Sequence, residues 1–227
     1  MGRIFKDCHE AINEIERDIM EMGIKVHPHT MQNKNVKDND DFSTIEVQNY
    51  TFTILDMKDK DGMVGDCLEW CRAEIIERIN CVGNPGEAWK LRKEVWEEFL
   101  VNGVFEYTYF DRLNREDQIN YVIEELKNNP DSRQCIIHVH GSCDLKAMGE
   151  RRIPCSMYYQ LMIRRGALDI IYNMRSSDFD THFRNDIWLA NALRNYIAGK
   201  ISVPVGLFHM NIGSLHRYKN YTNKVVF

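Results

Sequence analysis

Residues 154–178 read PCSMYYQLMIRRGALDIIYNMRSSD and decide the expected fold. Segments 153–163 and 167–174 are rich in apolar, β-branched and aromatic residues, a composition typical of strands. Only the residues RRG join them. So short a connection indicates a hairpin, because parallel neighbours need a crossover of about a dozen residues or more. The sequence therefore predicts an α+β fold rather than a regular array of βαβ units.

The rest of the chain mixes helical and strand patterns. The predicted helices cover 4–22, 66–80, 116–129 and 185–199, and the further predicted strands cover 44–55, 134–140 and 207–216. The apolar stripe of the first helix consists of Ile4, Cys8, Ile12, Ile15 and Ile19. The polar segment 26–42 predicts a loop. We expect one domain over residues 1–227, in which 1–43 form an N-terminal helix and loop.

Bulk composition narrows the function classes. The 227 residues carry a net charge of −5 and contain no long block of Lys and Arg, so we expect no nucleic-acid-binding surface. No apolar run approaches the roughly 20 residues of a membrane span, and the N-terminus lacks the apolar core of a secretion signal. We therefore expect no membrane association and a cytoplasmic location, which is the host cytoplasm if a phage encodes the protein.

The cysteines and histidines give no metal-binding pattern. Seven cysteines at irregular spacing, without a secretion signal, favour free thiols over a disulfide framework. His138 and His140 alternate on one predicted strand, with Cys135 and Cys143 nearby. Their spacing matches no standard zinc motif, and we predict no metal site.

The segment 173–188, NMRSSDFDTHFRNDIW, concentrates polar side chains directly after a predicted strand. Arg175 and Ser176 offer a guanidinium and a hydroxyl, which suit phosphate oxygens. Asp186 opens an apolar helical pattern, where a carboxylate could serve as an N-terminal cap. A solvated charged loop is the alternative to a functional site. The residues alone also leave Cys155 open, as a small core residue or as a nucleophile.

The order and spacing of several motifs resemble the thymidylate synthase superfamily. The motifs are PCS at 154–156, NMRSSD at 173–178, FRND at 183–186 and NIGSLHRY at 211–218, supported by TIEV at 44–47, LEW at 68–70, NPDSRQ at 129–134 and Tyr107. The resemblance covers about residues 44–220 and is strongest from 129 onward. Within the superfamily the chain looks most similar to bacteriophage deoxycytidylate (dCMP) hydroxymethylases. This resemblance implies a large mixed or antiparallel sheet flanked by helices, in a homodimer.

The resemblance also implies a reaction. Cys155 would be the catalytic nucleophile that adds to C6 of a pyrimidine nucleoside monophosphate, after which C5 takes a one-carbon unit from 5,10-methylenetetrahydrofolate. Nearby arginines would favour the thiolate that such an attack needs. The implied phosphate ligands include Arg133, reaching from the partner subunit. The full implied substrate-binding set is Arg133, Arg175, Ser176, Asp178, Asn185, His216, Tyr218 and Tyr107, and Trp89 is the implied folate contact.

The expected preference for cytosine over uracil rests on Asp186. Thymidylate synthases have Asn at the matching position, whereas deoxycytidylate hydroxymethylases have Asp. After attack at C6, cytosine takes a proton at N3, and a carboxylate favours that protonated ring while accepting from the 4-amino group. We therefore predict that dCMP, the folate and water give 5-hydroxymethyl-dCMP. Alternatives are a CMP hydroxymethylase, a thymidylate-synthase-like methyltransferase and a nucleotide-binding homologue without catalysis.

The sequence departs from the family pattern at several positions. Cys67 stands where the family has a proton-transferring glutamate, and we rank Asp66 above Glu69 as the catalytic substitute. Gln134 replaces a second phosphate-binding arginine, which could be compensated by Arg151, Arg152 or Arg184. Ser156 stands where thymidylate synthases have His. The sequence ends at Phe227 without the longer tail that closes over folate in thymidylate synthases, so folate use is implied by the family alone.

Overall fold

A computed structural model describes residues 2–31, 34–80 and 82–219. Its strands are β1 (Arg3–Phe5), β2 (Ile24–Val26), β3 (Thr30–Met31), β4 (Lys34–Asn35), β5 (Thr44–Ile54), β6 (Leu100–Val101), β7 (Val104–Phe105), β8 (Ile136–His138), β9 (Ser156–Arg164), β10 (Ala167–Asp178) and β11 (Val205–Tyr218). Its α-helices are α1 (Cys8–Met22), α2 (Lys60–Val64), α3 (Leu68–Ile79), α4 (Lys93–Trp96), α5 (Tyr109–Leu113), α6 (Gln118–Asn128), α7 (Ser142–Leu145) and α8 (Phe183–Ile201). None of the helices described is long and apolar enough to cross a membrane.

The large sheet is mixed, which confirms the predicted fold class. Its strands follow the order β1-β5-β11-β10-β9-β8, and β2 also pairs with β5. The predicted hairpin is present as the antiparallel pair β9–β10, whereas β10 and β11 run parallel because α8 connects them.

The N-terminal prediction was partly wrong. The helix begins at Cys8 rather than at residue 4, because the side chain of Asp7 caps its first turn by accepting from the Glu10 N–H. Ile4 lies in β1 instead, and 58% of its surface is exposed. The remaining members of the predicted apolar stripe are buried. Segment 26–42, predicted as a loop, contains the short β3–β4 ladder and a 3₁₀ turn at Asp40–Phe42.

Helices cover one face of the sheet. Alternate strand residues such as Phe52, Leu161, Tyr172 and Met210 are buried in one core with the apolar stripes of α1, α6 and α8. A second buried cluster lies between α3 and α8 and includes Trp70, Cys71 and Trp188. The packing of α3 on α8 is central to the site, because α8 directs the Asp186 carboxyl to Ser177 near the end of β10 and Cys71 of α3 contacts the adjacent Asn185.

A buried ion pair joins α5 to α7. The Arg112 guanidinium donates to both carboxylate oxygens of Asp144, at 2.9 and 2.8 Å, and both side chains are buried. Burial acts to raise the pKa of Asp144, but these hydrogen bonds outweigh it and hold that pKa below its usual value. The guanidinium also lies 4.9 Å from the ring centroid of Tyr107, a predicted site residue. The pair therefore anchors one wall of the site.

We expect Asp144→Ala to lower the free energy of unfolding by about 3–5 kcal/mol, because it leaves the Arg112 charge buried without its partner. Urea denaturation measures the change. Glu124→Ala is the matched control, since it breaks the exposed Glu124–Lys127 pair (2.9 Å) and should change stability by less than about 1 kcal/mol. Equal losses from both substitutions would contradict the assigned importance of the buried pair.

Candidate active site

Cys155 directly precedes β9 and lies beside the C-terminal part of β10. Its carbonyl oxygen accepts a hydrogen bond from the backbone N–H of Arg175 at 2.9 Å, and its Sγ lies 3.7 Å from Ser176 Oγ. The thiol is partly buried. A β-bulge adjoins this contact: Asn173 pairs with Tyr158 and Met174 with Ser156, so Met157 is the extra residue. The pairing of β9 with β10 thus brings Cys155 next to Arg175, which lies 20 positions later in the sequence.

The Arg175 guanidinium is fixed close to the thiol. It donates to the carbonyl oxygens of Pro154 (3.0 Å) and Ile153 (3.2 Å) and to Ser176 Oγ (3.0 Å). A guanidinium and a hydroxyl side by side are suited to hold an anionic phosphate.

Asp178 and His216 are cross-strand neighbours, since β10 and β11 pair them in register. Burial raises the pKa of Asp178 and lowers the pKa of His216, and the attraction between the two groups opposes both shifts. His216 also meets the ring of Tyr218 edge to face, with centroids 5.2 Å apart. Ser214 Oγ lies 3.4 Å from His216 Nδ1 and donates to Glu46 at 2.6 Å. These polar groups form a cluster at the end of the β10–β11 ladder.

Asp186 is not the helix cap that its sequence position allowed. The helix begins at Phe183 after His182, and Asp186 lies one turn further in, with its backbone N–H bonded to the His182 carbonyl (2.8 Å). Its carboxyl group faces β10 and accepts from Ser177 Oγ at 3.0 Å. Burial raises the pKa of Asp186 to about 7, against the lowering effects of Arg78 and the Ser177 hydrogen bond. Its charge therefore changes near neutral pH.

Asn185 is buried beside Asp186, and the protein holds both ends of its amide. Its Nδ2 donates to the Thr181 carbonyl (3.3 Å), and its Oδ1 accepts from Cys71 Sγ (3.6 Å). Cys71 lies on α3. These contacts fix the first turn of α8 against α3 next to Asp186.

An open aromatic cavity lies beside these residues and is lined by Trp89, Trp96, Tyr107 and Arg152, among others. The Arg152 guanidinium lies 4.8 Å from the Trp96 ring and 4.9 Å from the Tyr107 ring. Burial raises the pKa of Tyr107, and Cys155 adds to that effect, so Tyr107 lies between the cavity and Cys155. The buried Nε1 atoms of Trp89 and Trp96 have no hydrogen-bond partner among the described residues.

Two predicted site residues lie apart from the others. The Arg133 carbonyl accepts a hydrogen bond from the side chain of Gln160. Gln160 lies five residues after Cys155, so the two residues are separated by roughly 16 Å at about 3.3 Å per strand residue. The Arg133 side chain is exposed. Asp66 is also exposed, in the 3₁₀ turn Gly65–Cys67 that precedes α3, and so is Glu69. The half-buried Cys67 belongs to the α3–α8 cluster.

Sequence reasoning missed two features of the site. Arg78, on α3, is 5% exposed and acts electrostatically on Asp186. Ser156, at the position where thymidylate synthases have His, is fully buried and links the hydroxyls of Tyr109 (3.0 Å) and Tyr172. The i,i+4 spacing of Glu74 and Arg78 was a visible signal, but such a pair is ordinarily solvated. The tyrosines carried no distinguishing local pattern.

A family model described as thymidylate synthase matches residues 86–226, more than half of the chain. This chain belongs to the thymidylate synthase family. A putative thymidylate synthase from Methanosarcina barkeri is 33% identical over 141 residues, which cover 58% of this chain and 64% of that protein. Another from Methanocaldococcus jannaschii is 29% identical over 181 residues, covering 70% of this chain and 82% of that protein.

Solved structures carry the same fold. The crystal structure of thymidylate synthase from T4 phage superposes with a TM-score of 0.73 at 21% identity, covering 93% of this chain and 77% of that one. The predicted thymidylate synthase-like fold is thus confirmed. The chain spans less than two thirds of the Methanosarcina relative. The relatives described here are named thymidylate synthases, so a closer relation to hydroxymethylases within the family stays a prediction.

The raised pKa of Asp186 predicts a pH-dependent loss of stability. In the unfolded chain this carboxyl ionises near 3.8, whereas in the folded protein it ionises near 7. Between these values the folded state keeps a proton that the unfolded state has lost, so stability falls as the pH rises. Asp186→Asn removes this dependence.

We therefore expect the thermal midpoint of the Asp186→Asn variant, minus that of the wild type, to increase from about pH 4.5 to about pH 7.5 and then to level off. Differential scanning calorimetry across this range measures it. A difference that stays constant, or one that shrinks with rising pH, would contradict the assignment of a raised pKa to the half-buried carboxyl of Asp186.

Proposed function

We propose that this protein transfers a one-carbon unit to C5 of a pyrimidine nucleoside monophosphate and acts on dCMP to give 5-hydroxymethyl-dCMP. The main support for this proposal is a cluster of three side chains. The Cys155 Sγ lies 3.7 Å from Ser176 Oγ, and Arg175 donates a hydrogen bond to the same hydroxyl. A nucleophile next to phosphate-binding donors fits a substrate that is attacked on its base and anchored by its phosphate. Family membership supports the same reaction class.

In this mechanism the Cys155 thiolate forms a bond to C6, and the ring electrons move towards N3, which takes up a proton. Asp186 supplies or stabilises that proton, since its carboxyl ionises near neutral pH. C5 then bonds to the one-carbon unit and loses its hydrogen as a proton, the bond from that carbon to the folate nitrogen breaks so that tetrahydrofolate leaves, and finally the Cys155–C6 bond breaks. In the hydroxymethylation, the oxygen of the product comes from water. Asp178, Asn185, His216 and Tyr218 complete the proposed nucleotide site.

Methylenetetrahydrofolate is the proposed co-substrate and supplies the one-carbon unit at the oxidation level of formaldehyde. The aromatic cavity fits such a molecule, because a planar heterocycle can stack on Trp89, Trp96 or Tyr107. The indole N–H groups of Trp89 and Trp96, which lack partners among the described residues, offer donors to ring acceptors. Arg152 adds a cation at the same wall.

Two other functions follow from specific observations. A thymidylate-synthase-like methyltransferase is favoured by the names of the relatives. A nucleotide-binding homologue without catalysis is favoured by the exposure of Asp66 and Glu69, because Cys67 stands in place of the family glutamate and neither neighbouring carboxylate is buried. For the active enzyme, we propose that Asp66 takes over the role of that glutamate. A CMP hydroxymethylase differs from the proposed enzyme only at the sugar.

An assay with C5-tritiated dCMP, CMP and dUMP plus the folate separates these functions. We expect tritium release from dCMP, a drop of at least about a thousandfold in Cys155→Ala, and a shift of roughly a hundredfold towards dUMP in Asp186→Asn. Product chromatography distinguishes hydroxymethyl from methyl. Good turnover of dUMP with neither cytosine nucleotide used would refute the specificity, and nucleotide binding without any release would favour the inactive homologue.

We also propose a homodimer. The sheet face opposite the helices carries half-buried side chains, including Tyr158, Met162, Ile171 and Leu207, with polar neighbours between them. A second copy on this face would cover them. Arg133 lies next to Gln160 of β9, far from Cys155 of the same chain. We therefore propose that it binds the nucleotide phosphate in the site of the partner subunit.

Mixing inactive variants tests this arrangement. Co-refolding Cys155→Ala with Arg133→Ala should regenerate up to about a quarter of wild-type activity, because random pairing makes half of the dimers mixed and each mixed dimer holds one intact site. Sedimentation velocity should give a dimer for each variant. Activity no higher than the sum of the separate variants would show that Arg133 acts within its own chain or not at all.

A further inference from the structure

Arg152 is a cation held by aromatic rings at the wall of the aromatic cavity. Its guanidinium carbon lies 4.8 to 4.9 Å from the centroids of three rings, those of Trp96, Phe99 and Tyr107. The face of an aromatic ring is electron-rich and attracts a cation. The rings therefore hold this guanidinium in a defined place.

The same guanidinium has neither an ionic partner nor a hydrogen-bond acceptor within residues 2–31, 34–80 and 82–219. Arg152 is nevertheless partly buried. A buried or partly buried charged group is ordinarily paired or hydrogen-bonded, because it has lost part of its hydration. The N–H groups of Arg152 are thus donors that a bound ligand can use.

The backbone at Arg152 is fixed close to the Arg175 guanidinium. The Arg152 N–H donates to Glu106 Oε2 at 3.0 Å. The next two carbonyl oxygens, those of Ile153 and Pro154, accept from the Arg175 side chain at 3.2 and 3.0 Å. The side chain of Arg152 therefore starts from a point that adjoins the Arg175 guanidinium, and it is long enough to reach an anion bound there.

Within one subunit, Arg175 provides only part of what a nucleotide phosphate needs. A phosphate monoester carries a charge of about −1.5 to −2 near neutral pH and has several strong acceptor oxygens. Arg175 contributes a single positive charge. Three of its N–H groups already donate to Ile153, Pro154 and Ser176. A second cation beside Arg175 would balance the remaining charge and supply further donors.

We propose that Arg152 is this second cation and binds the phosphate of the nucleotide together with Arg175 and Ser176. The inference rests on the proposed function, because it takes the ligand of the site to be a nucleoside monophosphate. Charge-assisted hydrogen bonds to phosphate are stronger than ring contacts of a partly exposed arginine. The guanidinium therefore turns from the rings to the phosphate when the nucleotide binds.

The structure separates Arg152 from the other two arginines that the sequence allowed for this role. Arg151 is exposed. The guanidinium of Arg184 lies over the ring of Phe179, at 5.5 Å from its centroid. Of these three arginines, only Arg152 lines the aromatic cavity.

The contribution of the phosphate group to binding isolates the role of Arg152. Isothermal titration calorimetry of the full chain with dCMP and with deoxycytidine gives the ratio of the two dissociation constants, and dUMP with deoxyuridine gives it for the other base. We expect Arg152→Gln to lower the advantage of nucleotide over nucleoside about 10- to 100-fold, because one charged donor to the phosphate is lost. A role in packing alone would weaken nucleotide and nucleoside equally.

Arg151→Gln is the matched control, since it makes the same change in charge at the adjacent, exposed position. It should keep the ratio within about twofold of the wild type. Arg152→Lys should give a ratio between those of the wild type and Arg152→Gln, because lysine keeps the charge but lacks the planar fork. If Arg152→Gln does not fold, a lowered ratio in Arg152→Lys supports the inference and an unchanged one overturns it.

Fluorine NMR of protein labelled with 5-fluorotryptophan follows the guanidinium itself. The resonance of Trp96 is identified by its absence in Trp96→Phe. Addition of dCMP should shift this resonance more in the wild type than in Arg152→Gln, because only the wild type has a cation to remove from the ring. Equal shifts would show that Arg152 stays on the rings.

The outcomes separate this inference from the proposed function. If nucleotides bind to the wild type more tightly than nucleosides and Arg152→Gln leaves the ratio unchanged, the inference is overturned and the proposed function stands. A lowered ratio in a protein that releases no tritium from C5 would refute the one-carbon transfer, while Arg152 would keep its role in phosphate binding. Equal affinity of the wild type for nucleotides and nucleosides would refute both.

Discussion

The pairing of β10 with β9 on one side and β11 on the other is the constraint on which the site depends. The hydrogen bond from the Arg175 N–H to the Cys155 carbonyl fixes the thiol against the arginine and Ser176. The parallel pairing with β11 brings His216 opposite Asp178. A slip of one residue would turn every alternate side chain to the other face of the sheet, which would separate these groups.

The second determinant is the packing of α3 on α8 over the sheet. It buries a cation, Arg78, against the ring of Tyr109 and leaves a carboxyl, Asp186, half-buried. Charges interact more strongly where water is excluded, so the state of Asp186 depends on a few neighbours at fixed places rather than on the solvent. Burial raises the pKa of this carboxyl, while Arg78, Arg92 and the Ser177 hydroxyl lower it, and the result is a pKa of about 7.

The departures from the family pattern take on physical meaning in the same region. Ser156 has a small hydroxyl that fits between Tyr109 and Tyr172 directly behind the nucleophile, forming a buried chain of hydroxyl groups. Cys67 packs in the tryptophan-rich cluster between α3 and α8, where a thiol is better accommodated than a carboxylate would be. The chain thus has an apolar contact at Cys67, and the buried charge of α3, Arg78, lies further along the chain.

Local sequence patterns determined the elements, because alternation and helical spacing report which face of a segment is buried. The hairpin at 153–174, strand 44–54, the helices near 118–128 and 183–201, and the α+β class all followed from them. Motif order identified Cys155, Arg175, Ser176 and Asp186 as a candidate set. Local pattern failed at residues 4–7, where the side-chain cap of Asp7 outweighed apolar periodicity.

Only the tertiary structure decided the electrostatics. Local pattern did not separate Arg78 from the solvated arginines of α3, and it did not show that Asp186 lies inside the helix, half-buried, rather than at its cap. Burial, which controls the free energy of a charge, arises when segments distant in the chain pack together. For the same reason the structure alone showed Asp66 exposed and Arg133 distant from Cys155.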